Sequence, residues 1–272
     1  MDIIFITGKG GSGKSSLSLS LAYFLRERLS KQLYLVSLDP APNLKHIAKI
    51  AKLPMAKLKV KEVIPEKLLN KKTGEIIQSF MENFPHMRVI TPGELTKAVK
   101  ESPGAAEMVL FDETIKTIES SQSLDYTIFD MPPTGQALEI ILYPFRRLRW
   151  LRILKRIRES YHERKKAIEK IRSGSAEFKD PVMENLSGLI QKTQGAINIL
   201  KEAKFLLVHN PDEVSLKEAR EAEYKLRKHG LNRILKIENK GSSVPTLWDK
   251  IPDRRQMLKA GEILVEAIKI IQ

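Results

Sequence analysis

Short apolar runs recur along the chain, each closed by a small or polar residue, with segments carrying apolar residues every three or four positions between them. The runs at 2–7, 33–38, 87–90, 126–129, 204–208 and 233–237 predict strands. Segment 16–28, with Leu17, Leu21, Phe24 and Leu25, predicts a helix directly after the first strand. This alternation predicts an α/β fold, a mainly parallel sheet with helices on both faces. In such sheets ligands bind beyond the carboxyl ends of the strands, and the runs here close on Asp39, Thr91, Asp130, His209-Asn210 and Glu238-Asn239. Two stretches, about 44–84 and 138–203, read as helical insertions. With no internal repeat or low-complexity segment, 1–272 reads as a single domain carrying a helical subdomain. Ser173-Gly174-Ser175-Ala176 reads as a break within the second insertion.

Within that insertion, Ile141, Leu142, Phe145, Leu148, Leu151, Leu154, Ile157 and Tyr161 fall at steps of one, three or four, which predicts a continuous apolar helix face. Trp150 and Ile153 widen it. Charge is concentrated in the same place. Residues 146–172 hold twelve Lys/Arg against three Glu, a local excess of +9 in a chain whose net charge is +14. Such a helix fits a solvated basic face, a hydrophobic client with acidic flanks, an anionic membrane or a nucleic-acid backbone. The scarcity of aromatics after Trp150 and Tyr161 weakens single-strand recognition by stacking.

The first strand runs into Gly8-Lys9-Gly10-Gly11-Ser12-Gly13-Lys14-Ser15-Ser16, in which Gly8, Gly13, Lys14 and Ser15 satisfy the phosphate-loop pattern G-x-x-x-x-G-K-[ST]. Strand, glycine loop and helix is the context this motif requires. Glycines let successive amides turn toward phosphate oxygens, and the helix start adds free N–H groups and a positive dipole end. These features predict a P-loop NTPase that binds a nucleoside triphosphate with Mg²⁺. Lys14 is placed to reach the β- and γ-phosphates, and the Ser15 hydroxyl to ligate the metal. Lys9 is an extra cation that the general pattern does not require, and taken alone it fits a solvated loop lysine equally well.

No apolar run approaches the length of a membrane span, and the phosphate-binding strand begins at residue 2 in place of a signal peptide, so a cytoplasmic protein is expected. The chain has no cysteine, which excludes disulfides, thiolate metal sites and cysteine nucleophiles from it. The five histidines show no metal-ligand spacing.

Asp130 closes an apolar strand ahead of Met131-Pro132-Pro133-Thr134-Gly135-Gln136, where a carboxylate could hold the Mg²⁺ shell or simply cap a turn. Asp39, ahead of Pro40-Ala41-Pro42-Asn43-Leu44, could approach the metal or cap a proline-rich turn. The early lysine in G-K-G-G-x-G-K-[ST] resembles the deviant loop of the dimeric ArsA/MinD/ParA class. Segment 36–44 (VSLDPAPNL) resembles the V-S-T-D-P-A-H-N-L segment of the ArsA family, and 130–136 (DMPPTGQ) its D-T-A-P-T-G-H. Glu101-Ser102-Pro103-Gly104 with Glu107 and Asp112-Glu113 is similar to S-P-P-G-x-x-E, segment 210–220 to P-E-x-L-S-L-x-E-T-x-R, and Ile237-Glu238-Asn239 to V-V-N. These segments occur in family order over about residues 1–260.

The resemblance implies an ATPase whose nucleotide-dependent homodimer switches a helical client-binding surface, the family including arsenite-pump ATPases and ATPases that target tail-anchored membrane proteins. By position, the loop amides and Lys14 would bind phosphates, Ser15, Asp39 and Asp130 would sit at the Mg²⁺, and Asn239 would read the adenine. Lys9 would act across the dimer, a role that for an arginine finger in trans is worth roughly 10³–10⁵ in rate. Two departures stand out. The family's N-L-S-D places an aspartate on the attacking water, and Asn43-Leu44-Lys45-His46 places a histidine there, which can orient or deprotonate a water with different geometry and charge; the alternatives are slow hydrolysis or takeover by Asp39. Without cysteine, arsenite sensing through thiolates and a shared C-x-x-C zinc site are not expected. Two other readings remain open on the sequence: a ParA/MinD-like switch on nucleic acid or membrane, and a nucleotide-binding scaffold with negligible turnover.

Overall fold

The computed structural model describes residues 1–41, 43–83, 91–173, 180–239 and 253–271. Six strands, β1 (Asp2–Gly8), β2 (Leu33–Ser37), β3 (Lys59–Glu62), β4 (Tyr126–Asp130), β5 (Lys204–His209) and β6 (Ile234–Glu238), form one sheet. Its order is β3-β2-β4-β1-β5-β6, with every neighbouring pair parallel. Among the described residues the helices are α1 (Lys14–Leu29), α2 (Leu44–Ile50), α3 (Pro65–Asn83), α4 (Pro92–Lys100), α5 (Ala105–Ser120), α6 (Thr134–Ser173), α7 (Pro181–Glu202), α8 (Glu213–Lys228) and α9 (Arg254–Lys269). This is the α/β architecture of a P-loop NTPase.

The central strands are apolar on both sides because both faces of the sheet are covered. Ile4 and Ile6 of β1 pack with Ile128 and Leu206 beneath Leu17, Leu21 and Leu25 of α1 and Met257 and Leu264 of α9. The alternate residues turn the other way. Phe5 stacks on Phe129 at 4.9 Å and on Phe205 at 5.4 Å, an aromatic ladder across β4-β1-β5. Around it close Leu110 and Phe111 of α5, Ile141 of α6, Leu200 of α7 and Leu226 of α8.

Register brings the functional strand ends together. Asp130 pairs with both Ile6 of β1 and Ser37 of β2, and Gly8 pairs with Val208 of β5. Five of the expected strands are present within a residue or two of their limits. The expected strand at 87–90 lies outside the described residues; of the expected break at 173–176, Ser173 ends α6 and 174–176 lie outside the described residues.

The stretch 44–84, expected to be helical, contains a strand. β3 pairs in parallel with β2, between α2 and α3. Lys59-Val60-Lys61-Glu62 carries one apolar residue in four, so no apolar run announces it. It stands at the sheet edge, where charged side chains are tolerated and discourage further pairing. The stretch 138–203 is helical where described, in α6 and α7.

The expected continuous apolar face of α6 is also corrected. Ile141, Leu142, Leu148 and Leu151 are buried, but Ile157 is 62% and Tyr161 56% exposed. The steps 148-151-154-157 are all of three residues, and each falls about 60° short of a full turn. The stripe therefore rotates off the core, and Ile157 and Tyr161 join Trp150, 59% exposed, on an outward face.

Candidate functional site

β1 delivers the glycine loop to the start of α1. Gly8 is required by close approach, since a Cβ there would collide with the Val208 carbonyl oxygen of the neighbouring strand. Gly13 is required twice over. Its φ is +87°, and a Cβ would strike the Asn239 side chain. Gly13 is also the N-cap of α1 and supplies no side-chain acceptor, so the helix opens with uncapped amides. The Ser12 amide donates to the Lys9 carbonyl at 3.1 Å, closing the loop on itself. Lys14 is buried, with Nζ 3.4 Å from the same carbonyl. Burial holds its ammonium below the usual lysine range, against the opposing pull of Asp130, Asp39 and Glu218.

Asp130 is fully buried at the end of β4. Its Oδ2 accepts from the Ser37 hydroxyl at 3.2 Å, and its Oδ1 lies 3.2 Å from the Ser18 hydroxyl. Ser18 has one proton and a second acceptor, the Lys14 carbonyl at 2.9 Å, so it satisfies the carboxylate only in part. Burial pushes the Asp130 carboxyl up to about 6, against a hydrogen bond from Ser15 and the charge of Lys14, with Asp39 reinforcing the rise. A buried carboxylate beside a buried ammonium, each short of full compensation, is poised for a further charged group.

Asp39 is partly exposed just beyond β2. Its Oδ1 accepts from the Ala41 amide at 2.9 Å, and its own amide donates to Ser37 Oγ at 3.4 Å. Ser37 therefore links this segment to Asp130. Of the five buried side-chain atoms that lack a partner among the described residues, three cluster at the strand ends: Ser12 Oγ, Asn210 Oδ1 and Asn239 Oδ1. Asn239 is fully buried and its Nδ2 donates to the Ser12 carbonyl at 2.7 Å. Unpaired buried polar atoms are costly, and groups on a bound nucleotide are natural partners for them.

The structure thus brings Gly8, Lys9, Gly10, Gly11, Ser12, Gly13, Lys14, Ser15, Ser16, Asp130 and Asn239 to one place, with Asp39 at its edge. Lys9 reaches outward, its Nζ 3.9 Å from Asp212 Oδ1, both side chains well exposed. His46 stands exposed in the first turn of α2, and among the described residues no hydrogen bond or ion pair joins it to Lys14, Asp39 or Asp130. Four contributors lie outside the motif pattern: Ser18, Ser37, Asn210 and Asp212. Ser18 could have been found one helical turn after Lys14, and Ser37 two residues before Asp39. Asn210 and Asp212 open the family-like segment 210–220 at the end of a strand run, but only the placing of β5 beside β1 brings them to the phosphate loop.

Mg²⁺ fits this donor set by its chemistry. A hard cation takes oxygen ligands, and the Ser15 hydroxyl and the Asp130 carboxylate, with Asp39 nearby, are the oxygens present.

A family model described as anion-transporting ATPase, ArsA ATPase, matches residues 1–246. Among curated proteins, the chain is 25% identical over 228 residues to "ATPase ASNA1 homolog 1" of Paramecium tetraurelia, covering 79% of this chain and 67% of that one. It is 31% identical over 148 residues to "ATPase get3" of Schizosaccharomyces japonicus, 52% of this chain and 43% of the other. It is 29% identical over 156 residues to "Arsenical pump-driving ATPase" of Escherichia coli, 52% of this chain and 25% of the other. The chain thus spans from two thirds down to one quarter of these relatives' own lengths. With the match over nearly the whole sequence, the parallel sheet and the glycine loop in register with Asp130, the chain belongs to the ArsA family of ATPases.

Proposed function

We propose that this protein binds Mg-ATP at the loop of residues 8–16, hydrolyses it slowly, and couples the nucleotide to a homodimer that switches a helical client-binding surface. The observation that carries the reading is the buried pair of Lys14 and Asp130 beneath uncapped amides of α1. The loop amides and Lys14 hold the phosphates, and Ser15, Asp39 and Asp130 hold the metal. Bound Mg²⁺ supplies positive charge that offsets the charge developing on the transferred phosphoryl group. Asn239 fixes the loop from below through Ser12, and its buried, unpartnered oxygen would be the acceptor for a donor on the base. His46 occupies the position that orients water in the family pattern. Its exposed place on α2 supports slow turnover, and the Asp39–Ser37–Asp130 linkage supports Asp39 as the alternative.

Lys9 acts across the dimer on the partner's phosphates, and its exposure at the rim of the site supports that role. A cleft of about 510 Å³ between α5, α6 and α7 has an apolar part, with Phe111, Ile115, Leu189 and Ile199, and a charged part, with Asp112, Lys116, Glu119, Arg147 and Lys192; the apolar part supports a client with apolar side chains, such as a hydrophobic tail segment. Among the described residues no helix is long and apolar enough to cross a membrane. Calorimetric titration with ATP and Mg²⁺, paired with phosphate release, tests the reading. The natural chain should bind and turn over slowly, Lys14→Ala should do neither, and His46→Ala should lower turnover without weakening binding. Robust turnover untouched by His46→Ala removes His46 from the mechanism.

A further inference from the structure

α6 carries a second feature that the nucleotide site does not use. Trp150, Ile153, Ile157 and Tyr161 follow at steps of three, four and four, which keep one direction on a helix. Trp150, Ile157 and Tyr161 are each more than half exposed, and Ile153 is half-buried. Along one side of this crest run Arg149, Arg156 and Arg164, exposed and without an acidic partner among the described residues. The cations on the inner side are engaged. Arg147 pairs with Asp112 at 3.3 Å, and Arg158 grips Asp180 through Nε at 2.7 Å and Nη2 at 3.1 Å. Arg158 also lies 5.2 Å over the Tyr161 ring, which steadies that aromatic on the crest. The free arginines are therefore those that border the exposed apolar side chains.

We propose that this ridge is a docking surface for an anionic lipid bilayer. Trp and Tyr suit the headgroup level, where an apolar ring body and a polar edge are both satisfied, and Ile157 reaches the acyl boundary. Arginines beside them meet lipid phosphates and carboxylates, and the +9 excess of residues 146–172 adds long-range attraction to a negative leaflet. From Trp150 to Arg164 the ridge is about 21 Å long at 1.5 Å per residue. Its shape chooses among occupants. The shallow depression formed by Ile153, Arg156, Ile157, Ser160, Tyr161 and Arg164 belongs to α6 alone, so a peptide helix would find one wall and no groove. A nucleic-acid backbone would meet the arginines but leave Trp150 and Ile157 in water. A bilayer satisfies both parts at once. The surface is separate from the ATP site and goes beyond the ATPase reading.

The test is co-sedimentation of the full chain with vesicles of phosphatidylcholine alone or mixed with phosphatidylserine, without nucleotide. Binding is expected to the mixed vesicles only and to weaken with added salt. Arg149→Gln/Arg156→Gln and Trp150→Ala/Ile157→Ala are each expected to reduce the partition at least about tenfold, since one or two such side chains together contribute roughly that factor. Removing equal charge from α8 with Lys225→Gln/Lys228→Gln should change it little. In a Trp248→Phe chain Trp150 is the remaining tryptophan, and its emission should shift to the blue on mixed vesicles. ATP binding by each variant reports its fold and keeps failure of this proposal distinct from failure of the ATPase reading. Equal binding to both vesicle types, an unchanged partition in the ridge variants, or retention on single-stranded DNA with none on vesicles would overturn it.

Discussion

Asn239 Nδ2 donates to the Ser12 carbonyl at 2.7 Å, so the chain just beyond β6 holds the phosphate loop in place from 227 positions away. The same side chain lies against Gly13, leaving no space for a Cβ there. Removing it should loosen the loop whichever nucleotide is bound. Asn239→Ala is expected to cost about 1–2 kcal/mol of stability and about tenfold in affinity for both ADP and ATP. Thermal melts with titrations of each nucleotide check this; a change confined to one nucleotide would place Asn239 outside loop support.

The pair Lys14 and Asp130 should be a stability liability in the nucleotide-free protein. Burial disfavours the charged form of each, and their mutual attraction does not fully restore it. The double variant Lys14→Met/Asp130→Asn is therefore expected to melt above the natural chain when both are free of nucleotide. It should also lose the rise in melting temperature that Mg-ATP gives the natural chain. A double variant that melts lower would show the pair to be stabilising.

Much of this site is legible in the sequence because the phosphate loop is local. Gly8 to Ser16 and the strand and helix around them form one continuous segment, and Asp130 closes an apolar run that stands out by itself. Ser37 and Ser18 are less visible, since they matter only because β2 and α1 flank β4 and the pairing register sets Ser37 opposite Asp130. β3 escapes because an edge strand can be three-quarters charged. The outward turn of α6 escapes because steps of three look like a stripe in the sequence while rotating on the helix. Both misses come from reading periodicity without the neighbouring element that decides which face is covered.

Asp180 gives a pH dependence away from the nucleotide. It caps α7 through the Val182 and Met183 amides, and the Arg158 guanidinium holds its carboxyl below the ordinary value of 3.8. A lowered folded value means the unfolded chain binds the proton first. Its contribution is therefore complete above the ordinary carboxylate range and disappears as pH falls through the folded value. Asp180→Asn keeps an acceptor for the amides but removes the charge. The melting temperatures of natural and variant chains should differ at neutral pH and converge as pH drops below about 4. A constant gap across that range would mean the charge of Asp180 contributes nothing.

Lys9 rests 3.9 Å from Asp212 in the single chain, a well-exposed pair that contributes little stability. Asp212→Asn should leave the stability within about 0.5 kcal/mol of the natural chain, and it should not weaken ATP-driven association, because the cap on α8 survives as an amide. Thermal melts, and sedimentation velocity with and without ATP, check the two parts against Asp212→Ala, which removes the cap as well.

The most direct measurement of the account is the solution mass by light scattering, with and without Mg-ATP, for the natural chain and for Lys9→Ala. The natural chain is expected to double its mass only with ATP, and Lys9→Ala to bind ATP yet fail to hold the dimer or turn over. A mass that does not respond to ATP, or a Lys9→Ala chain that dimerises and hydrolyses like the natural one, would contradict it.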